Sequence, residues 1–120
     1  MHKIDSEKYY GNIEYKQELS NMDSDKIQKY ATQMKFRLIE GDGSALYLIG
    51  VQDDGNIIGV PNELLKTYST IIESICQEIN SQISDISYIK VPQIHRSIML
   101  VRVRAKFSLQ SIFYLTGDDI

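Results

Sequence analysis

The apolar residues between Asp25 and Glu40 recur with the period of a helix. They are Ile27, Tyr30, Ala31, Met34 and Leu38. Because they fall within about 100° on a helical wheel, they predict an amphipathic helix whose apolar stripe faces the core. Asp23 or Ser24 is placed to cap the start of this helix, and Gly41 is placed to cap its end.

A second and broader helical stripe follows Pro61. It consists of Leu64, Leu65, Tyr68, Ile71, Ile72, Ile75, Cys76 and Ile79. The stripe predicts a core helix that ends near Asn80, with Asn62 as its N-cap. Cys76 lies within the stripe, so we expect its thiol to pack rather than to react.

Two stretches alternate with the period of a β-strand. From Tyr9 to Leu19, charged residues alternate with Ile13, Tyr15 and Gln17, which predicts a half-exposed strand with a charged outer face. From Ser97 to Ala105, one face is apolar throughout. The residues predicted to face the other way on this second strand are Leu100, Arg102, Arg104 and then Lys106.

The remaining strands are predicted from apolar runs and turns. The run from Ala45 to Val51 predicts a strand covered on both faces, or nearly so, and Asp53-Asp54-Gly55 predicts a hairpin turn after it. Further strands are expected at 57–60, 86–91 and 111–115. Together the elements predict one α+β domain over residues 1–120, a two-layer sandwich of a mixed or antiparallel sheet with two helices. Residues 1–8 are polar and are expected to form a loose arm.

Charge changes this picture locally, because the net charge is only -3 but the cations are unevenly placed. Between Asp85 and Asp118 the sequence contains no acidic residue. The predicted contacts to RNA phosphates, or to an acidic protein surface, are Lys35, Arg37, Arg102, Arg104 and Lys106. The alternative is that the strand cations only prevent edge pairing. Phe36 stands among the helix cations, either packed on a neighbouring segment or as an aromatic anchor for a partner.

Catalytic motifs are scarce. The P-loop pattern GxxxxGK[ST] is absent, and two histidines with one cysteine are too few and too scattered for a metal site. Four acids remain as a catalytic alternative: Glu14, Glu18, Asp53 and Asp54. Converging acids could bind Mg²⁺ or Mn²⁺ and cleave a phosphodiester, whereas the simpler interpretation is a solvated strand edge and an ordinary hairpin.

Three blocks carry a family resemblance: GNIEYKQEL at 11–19, TQMKFRLIEGDG at 32–43 and ALYLIGVQDDGNIIGV at 45–60. They resemble the N-terminal domain of the eukaryotic GTP-binding-protein family of translational GTPases, relatives of elongation factor 1-alpha. Phe36 stands where that family usually has tryptophan, and beyond Glu63 only the pattern is similar. The resemblance implies a non-catalytic, cytoplasmic accessory domain that precedes a GTPase domain, with GTP and Mg²⁺ bound in the parent protein and no cofactor in this chain. Its implied partners are its own GTPase domain and tRNA or ribosomal RNA, with no membrane.

The first and third blocks are also similar, more distantly, to Schlafen and AlbA-type nucleic-acid-binding domains. Glu14 matches the first acidic motif of that superfamily, and Asp53 or Asp54 matches the second. The acid expected five residues before Glu14 falls on Tyr9. This resemblance implies a nucleic-acid-binding or metal-dependent RNA-processing domain, with an incomplete carboxylate set for cleavage. A third possibility is a module that only docks onto proteins.

Overall fold

A computed structural model describes residues 3–106 of the 120-residue chain. Its elements are β1 (Ile13–Lys16), α1 (Ser24–Glu40), β2 (Ser44–Ile49), β3 (Val60–Pro61), a 3-10 turn (Asn62–Leu64), α2 (Leu65–Glu78), β4 (Ser81–Lys90) and β5 (Arg96–Ala105). The five strands form one mixed sheet, so the predicted α+β class with two helices is confirmed. The strand predicted at 111–115 lies outside the described residues. Within residues 3–106, neither helix is long and apolar enough to cross a membrane.

The sheet is built around β5. This strand pairs antiparallel with β2, β3 and β4, while β1 joins the sheet as a parallel neighbour of β2. The predicted alternation of β5 is confirmed, since Met99, Val101 and Val103 are fully buried. β4 begins at Ser81, five residues earlier than predicted, because it follows β5 over nearly its whole length.

Local signals set both ends of α1 as predicted. The Asp23 carboxylate accepts a hydrogen bond of 2.8 Å from the Lys26 amide, which satisfies a backbone donor at the start of the helix. Gly41 ends the helix, and a Cβ there would lie only 1.9 Å from the Ser44 carbonyl oxygen. This close approach accounts for glycine at the position.

The apolar stripe of α2 is confirmed, but the predicted cap is wrong. Asn62 does not cap the helix, because its side-chain oxygen accepts a hydrogen bond of 2.8 Å from the Ser97 hydroxyl and the 3-10 turn intervenes. Cys76 is buried with its Sγ 3.8 Å from Met34 Sδ, and burial raises the pKa of its thiol to about 12. The thiol is therefore protonated at neutral pH and packs in the core, as expected.

Both helices pack against the same face of the sheet. Side chains of α1, α2, β2 and β5 form the main core there. A smaller cluster of Tyr15, Val51, Val91 and Ile98 covers part of the opposite face. Leu48 packs against this second cluster, whereas Leu46 does not, so β2 is covered on both faces only towards its C-terminal end. We call the part of this face that the second cluster does not cover within residues 3–106, around Ile13, Leu46, Arg102 and Arg104, the open face.

Residues 3–8 do not form the predicted loose arm. The Ile4 amide donates to the Gly55 carbonyl at 2.9 Å, and the Glu7 amide donates to the Asp53 carbonyl at 2.7 Å. The Tyr15 hydroxyl donates to the Asp5 carbonyl at 2.7 Å. The segment is therefore held against the turn that follows β2, where Gly55 has a positive φ of 94°. Beyond this turn the chain leaves β2, and β3 pairs with β5 instead.

Candidate functional site

The charged face of β1 points into the protein, contrary to the prediction, while Tyr15 on the other face is buried in the second cluster. Glu14 is buried on the helix side, whereas Ile13 is 44% exposed on the other side. The predicted charged outer face is wrong because Glu14 has a charged partner inside the protein. Lys16 points the same way and lies 3.4 Å from Glu14, while Glu18 falls beyond the end of the strand.

That partner is Arg37, which is itself only 4% exposed. Its Nε donates to Glu14 Oε1 at 2.8 Å. The Nη1 group donates to the carbonyls of Tyr10 and Gly11, both at 2.9 Å, and Nη2 donates to the Lys8 carbonyl at 2.7 Å. The expectation that Arg37 lies on the exposed side of the helix is therefore wrong. One feature of the sequence indicates the burial of Arg37, because this residue follows Tyr30 by two helical turns and lies close to the same face of the helix.

Glu7 completes this buried ionic group, and no pattern in the sequence indicates that it does so. Its Oε2 accepts a hydrogen bond from the Tyr15 amide and lies 3.8 Å from Arg37 Nη2. Burial, together with the negative charges of Glu14 and Asp53, raises the pKa of Glu7 to about 7, although the Tyr15 amide acts in the opposite direction. One guanidinium thus faces two acids, and a proton on Glu7 reduces the remaining negative charge.

The pKa of Glu7 predicts a pH-dependent stability. In the unfolded chain the carboxyl loses its proton near its ordinary value of 4.5, whereas in the folded protein it keeps it until about 7. The folded state binds more protons between these values, so the free energy of unfolding should fall as the pH rises from 4.5 to 7 and then level off. Urea unfolding across this range tests the prediction. Glu7→Gln should flatten the dependence, whereas Glu18→Gln at an exposed position should leave it, and equal slopes in all three proteins would contradict it.

An open cleft of about 560 Å³ lies beyond the end of β1. Its lining includes Glu18, Asp53 and Asp54 together with Lys16, Lys26 and Tyr30. Lys16 Nζ lies 4.0 Å from the centre of the Tyr30 ring and donates to Gln33 at 2.7 Å. Three of the four acids in the catalytic alternative therefore share one cleft, but Glu14 does not line it.

The geometry of these acids does not favour metal-dependent cleavage. Among residues 3–106, no group of three or more His, Cys, Asp or Glu side chains is arranged to hold a metal ion. Glu14 is neutralised by Arg37 and Lys16, and the Asp54 carboxylate accepts a hydrogen bond of 2.9 Å from the Asn56 amide. Glu14 is therefore committed to cations inside the protein, and one of the three acids that line the cleft is committed to a backbone amide.

On the open face, Arg102 and Arg104 point away from the helices. Cross-strand pairing aligns Ile13, Leu46, Arg102 and Asp85 in one row across four strands. Arg102 Nη1 lies 3.4 Å from the Ser44 hydroxyl. Within residues 3–106, neither arginine forms an ion pair. Arg104 is exposed and Arg102 is half-buried, and both lie on a surface that also carries apolar side chains.

The other predicted cations do not join this surface. Lys106 follows the end of β5 and lines a separate pocket with Glu73 and Cys76, so the expectation that it continues the outward row is wrong. Lys35 lies on α1, which packs against the opposite face of the sheet. With Arg37 buried, the structure brings only Arg102 and Arg104 together.

Exposed aromatic residues lie near the buried ionic group. Phe36 is 45% exposed, and its ring centre is 5.8 Å from Arg37 Cζ. Tyr9 and Tyr10 are 88% and 56% exposed, and their rings meet edge to face with centroids 5.5 Å apart. Sequence reasoning missed the two tyrosines because it placed them in a strand. Their adjacency just before the first apolar position of β1 was the only available signal.

Comparison with known proteins gives three similar sequences. GTP-binding protein 2 of Mus musculus and of Homo sapiens are each 36% identical to this chain over 74 residues, which is 62% of the chain. An uncharacterized protein of Acanthamoeba polyphaga mimivirus is 37% identical over 82 residues, or 68% of the chain. The chain spans only 12% of the length of the two GTP-binding proteins and 44% of the viral protein. No family model matches the chain, and no solved structure matches it.

Proposed function

We propose that this chain is a non-catalytic accessory domain of a translational GTPase and that it contacts RNA through the open face of its sheet. The three resembling blocks and the similarity to GTP-binding protein 2 support the first part. The RNA contact rests on one observation, the neighbouring pair Arg102 and Arg104 on the open face, which forms no ion pair among residues 3–106. In this proposal the domain acts in the cytoplasm, and GTP and Mg²⁺ bind in the GTPase domain of the parent protein.

The number of available cations sets the expected strength of binding. Each phosphate neutralised on a single strand contributes about 0.7 to the slope of log affinity against log salt. Five cations would give a slope of about 3.5, whereas two give about 1.4. We therefore expect weak RNA binding that falls only about sevenfold between 50 and 200 mM salt.

Replacing Arg102 and Arg104 with alanine tests the proposal. The double variant should bind tRNA at least tenfold more weakly at 50 mM salt, and its remaining affinity should show almost no salt dependence, because both phosphate contacts are lost. Fluorescence anisotropy with labelled tRNA at several salt concentrations measures both effects. Lys29→Ala/Lys66→Ala removes the same charge from exposed helix positions and is the matched control.

Two outcomes would contradict the RNA contact. One is the absence of binding by the unmodified chain at the lowest salt concentration. The other is an equal loss in the arginine variant and the lysine control, which would indicate a response to net charge rather than to the open face.

A second candidate function is docking onto the GTPase core, favoured by the half-exposed Phe36. Aromatic residues, phenylalanine among them, are enriched at protein interfaces. The Phe36→Ala variant separates the two candidates. Docking would be favoured if the separately produced GTPase core captures the unmodified chain even after ribonuclease treatment but does not capture the variant. The RNA affinity of the variant should then be unchanged.

A further inference from the structure

We propose that the RNA recognised by this domain is single-stranded, with its bases stacked on Tyr9 and Tyr10 and its phosphates held by Arg102 and Arg104. This inference rests on the proposed function and adds to it the class of RNA and the residues that bind the bases. It commits to one ligand for the exposed tyrosines, and a protein partner is an outcome of the test.

The exposure of the two tyrosines is the first step. Tyr9 is 88% exposed, and the edge-to-face contact with Tyr10 leaves a face of its ring open to solvent. A base can stack on such a face whatever its identity, because every base has a π-face. The pair thus provides a binding surface without sequence preference.

The backbone below these rings is held in place by the protein interior. Arg37 donates to the carbonyls of Lys8, Tyr10 and Gly11. The Gly11 amide donates to the Glu40 carboxylate at 3.0 Å. A buried arginine therefore fixes the segment from both sides of Tyr9, so little backbone freedom remains to be lost when a ligand binds. Arg37, predicted to touch phosphate itself, acts here as a positioning residue.

Strand pairing places this segment beside the arginines. The Asn12 carbonyl accepts from the Leu46 amide at 2.9 Å, and the Asn12 side chain donates to the Ser44 carbonyl at 3.0 Å. Ser44 in turn pairs with Arg104. Two steps between neighbouring strands amount to about 10 Å, so the backbone at Asn12 lies about that far from the backbone at Arg104. A strand of a few nucleotides that passes around the β1 edge of the sheet would be long enough to meet both the aromatic rings and the two cations.

The chemistry of this surface favours an unpaired strand over a duplex. In a duplex the base faces are stacked on one another and closed to aromatic side chains, so only the backbone would be available. Two arginines on a chain of net charge -3 are a small electrostatic attraction for a duplex. Stacking supplies the affinity that charge does not, and only a single strand offers it.

The test compares three tyrosine variants and the arginine variant against two RNAs. The RNAs are a labelled oligouridine of ten nucleotides and a duplex of the same length. Tyr9→Ala/Tyr10→Ala should weaken binding of the single strand at least about fivefold without changing the salt slope, because stacking carries no charge. Tyr9→Phe/Tyr10→Phe should keep the affinity. Tyr88→Ala on β4, at a residue that is 50% exposed, is the control and should bind like the unmodified chain.

The outcomes separate this inference from the proposed function. If the unmodified chain binds neither RNA, both fail. If the arginine variant loses affinity but the tyrosine variant does not, RNA contact stands and the stacking proposal is wrong. Equal affinity for duplex and single strand also overturns it. Unchanged RNA affinity with loss of capture by the GTPase core in the tyrosine variant would assign the rings to a protein partner instead.

Discussion

Replacing Arg37 with methionine should lower the free energy of unfolding by about 3–5 kcal/mol, because breaking a buried ion pair leaves an uncompensated charge. Methionine keeps much of the volume of the arginine stem, so cavity formation contributes little. The loss would leave Glu14 buried at 7% exposure without its closest cation. It would also leave the carbonyls of Lys8, Tyr10 and Gly11 without their side-chain donor.

Urea unfolding followed by circular dichroism measures this effect. Arg37→Lys keeps the charge but lacks the five N–H donors of the guanidinium. It should therefore lower the free energy of unfolding less than Arg37→Met does, but remain destabilising. Adding Glu14→Gln to Arg37→Met should restore part of the lost stability, since the buried charge is then gone. A loss below about 1 kcal/mol in Arg37→Met would show that the ion pair contributes little beyond its desolvation cost.

Replacing Gly55 with alanine should destabilise the protein and detach residues 3–8. Gly55 has φ of 94°, and a Cβ there would lie 1.9 Å from the Ile4 carbonyl oxygen. The strained backbone alone costs about 1–3 kcal/mol. The overlap adds to this and cannot be relieved by a side-chain rotation, because the atom it meets is backbone. The expected result is loss of the contacts between this turn and the N-terminal segment.

Gly43→Ala is the matched control for Gly55→Ala. Gly43 has nearly the same φ, 95°, but a Cβ there would meet nothing within 4 Å. The difference in unfolding free energy between the two variants therefore isolates the close approach of Ile4. Hydrogen exchange gives a second measurement, since the Ile4 and Glu7 amides should lose protection in Gly55→Ala and keep it in Gly43→Ala. Equal behaviour of both variants would contradict the prediction.

The parts of this fold that follow from local physics could be predicted from sequence. α1 begins at a capping aspartate and ends at a glycine, and both residues lie within one turn of the helix. The buried and exposed faces of β5 likewise follow from the period of two residues in its sequence. Such features depend on neighbouring residues, so no knowledge of the tertiary structure was required.

The predictions about the candidate site that are wrong concern contacts between residues distant in sequence. Nothing near Glu14 shows that it is buried, because the cation that permits burial lies 23 positions away in α1. The polar sequence around Glu7 predicts a loose arm, whereas the hydrogen bonds of Glu7 go to the strand and turn around it. Alternation alone does not show where β5 ends, so it predicts Lys106 on the outer face. A charged residue in an alternating pattern is therefore exposed only where the protein interior offers no residue of opposite charge to pair with it.

The central position of β5 has a consequence for how the protein is made. β5 is the last described strand along the chain, yet β2, β3 and β4 all pair with it. A chain leaving the ribosome therefore cannot close its sheet until residue 105 has emerged. Until then the apolar stripes of both helices lack most of the surface that they cover, and closure depends on contacts between distant parts of the chain, which form slowly. We expect synthesis halted before β5 to leave an aggregation-prone intermediate that a holding chaperone would bind.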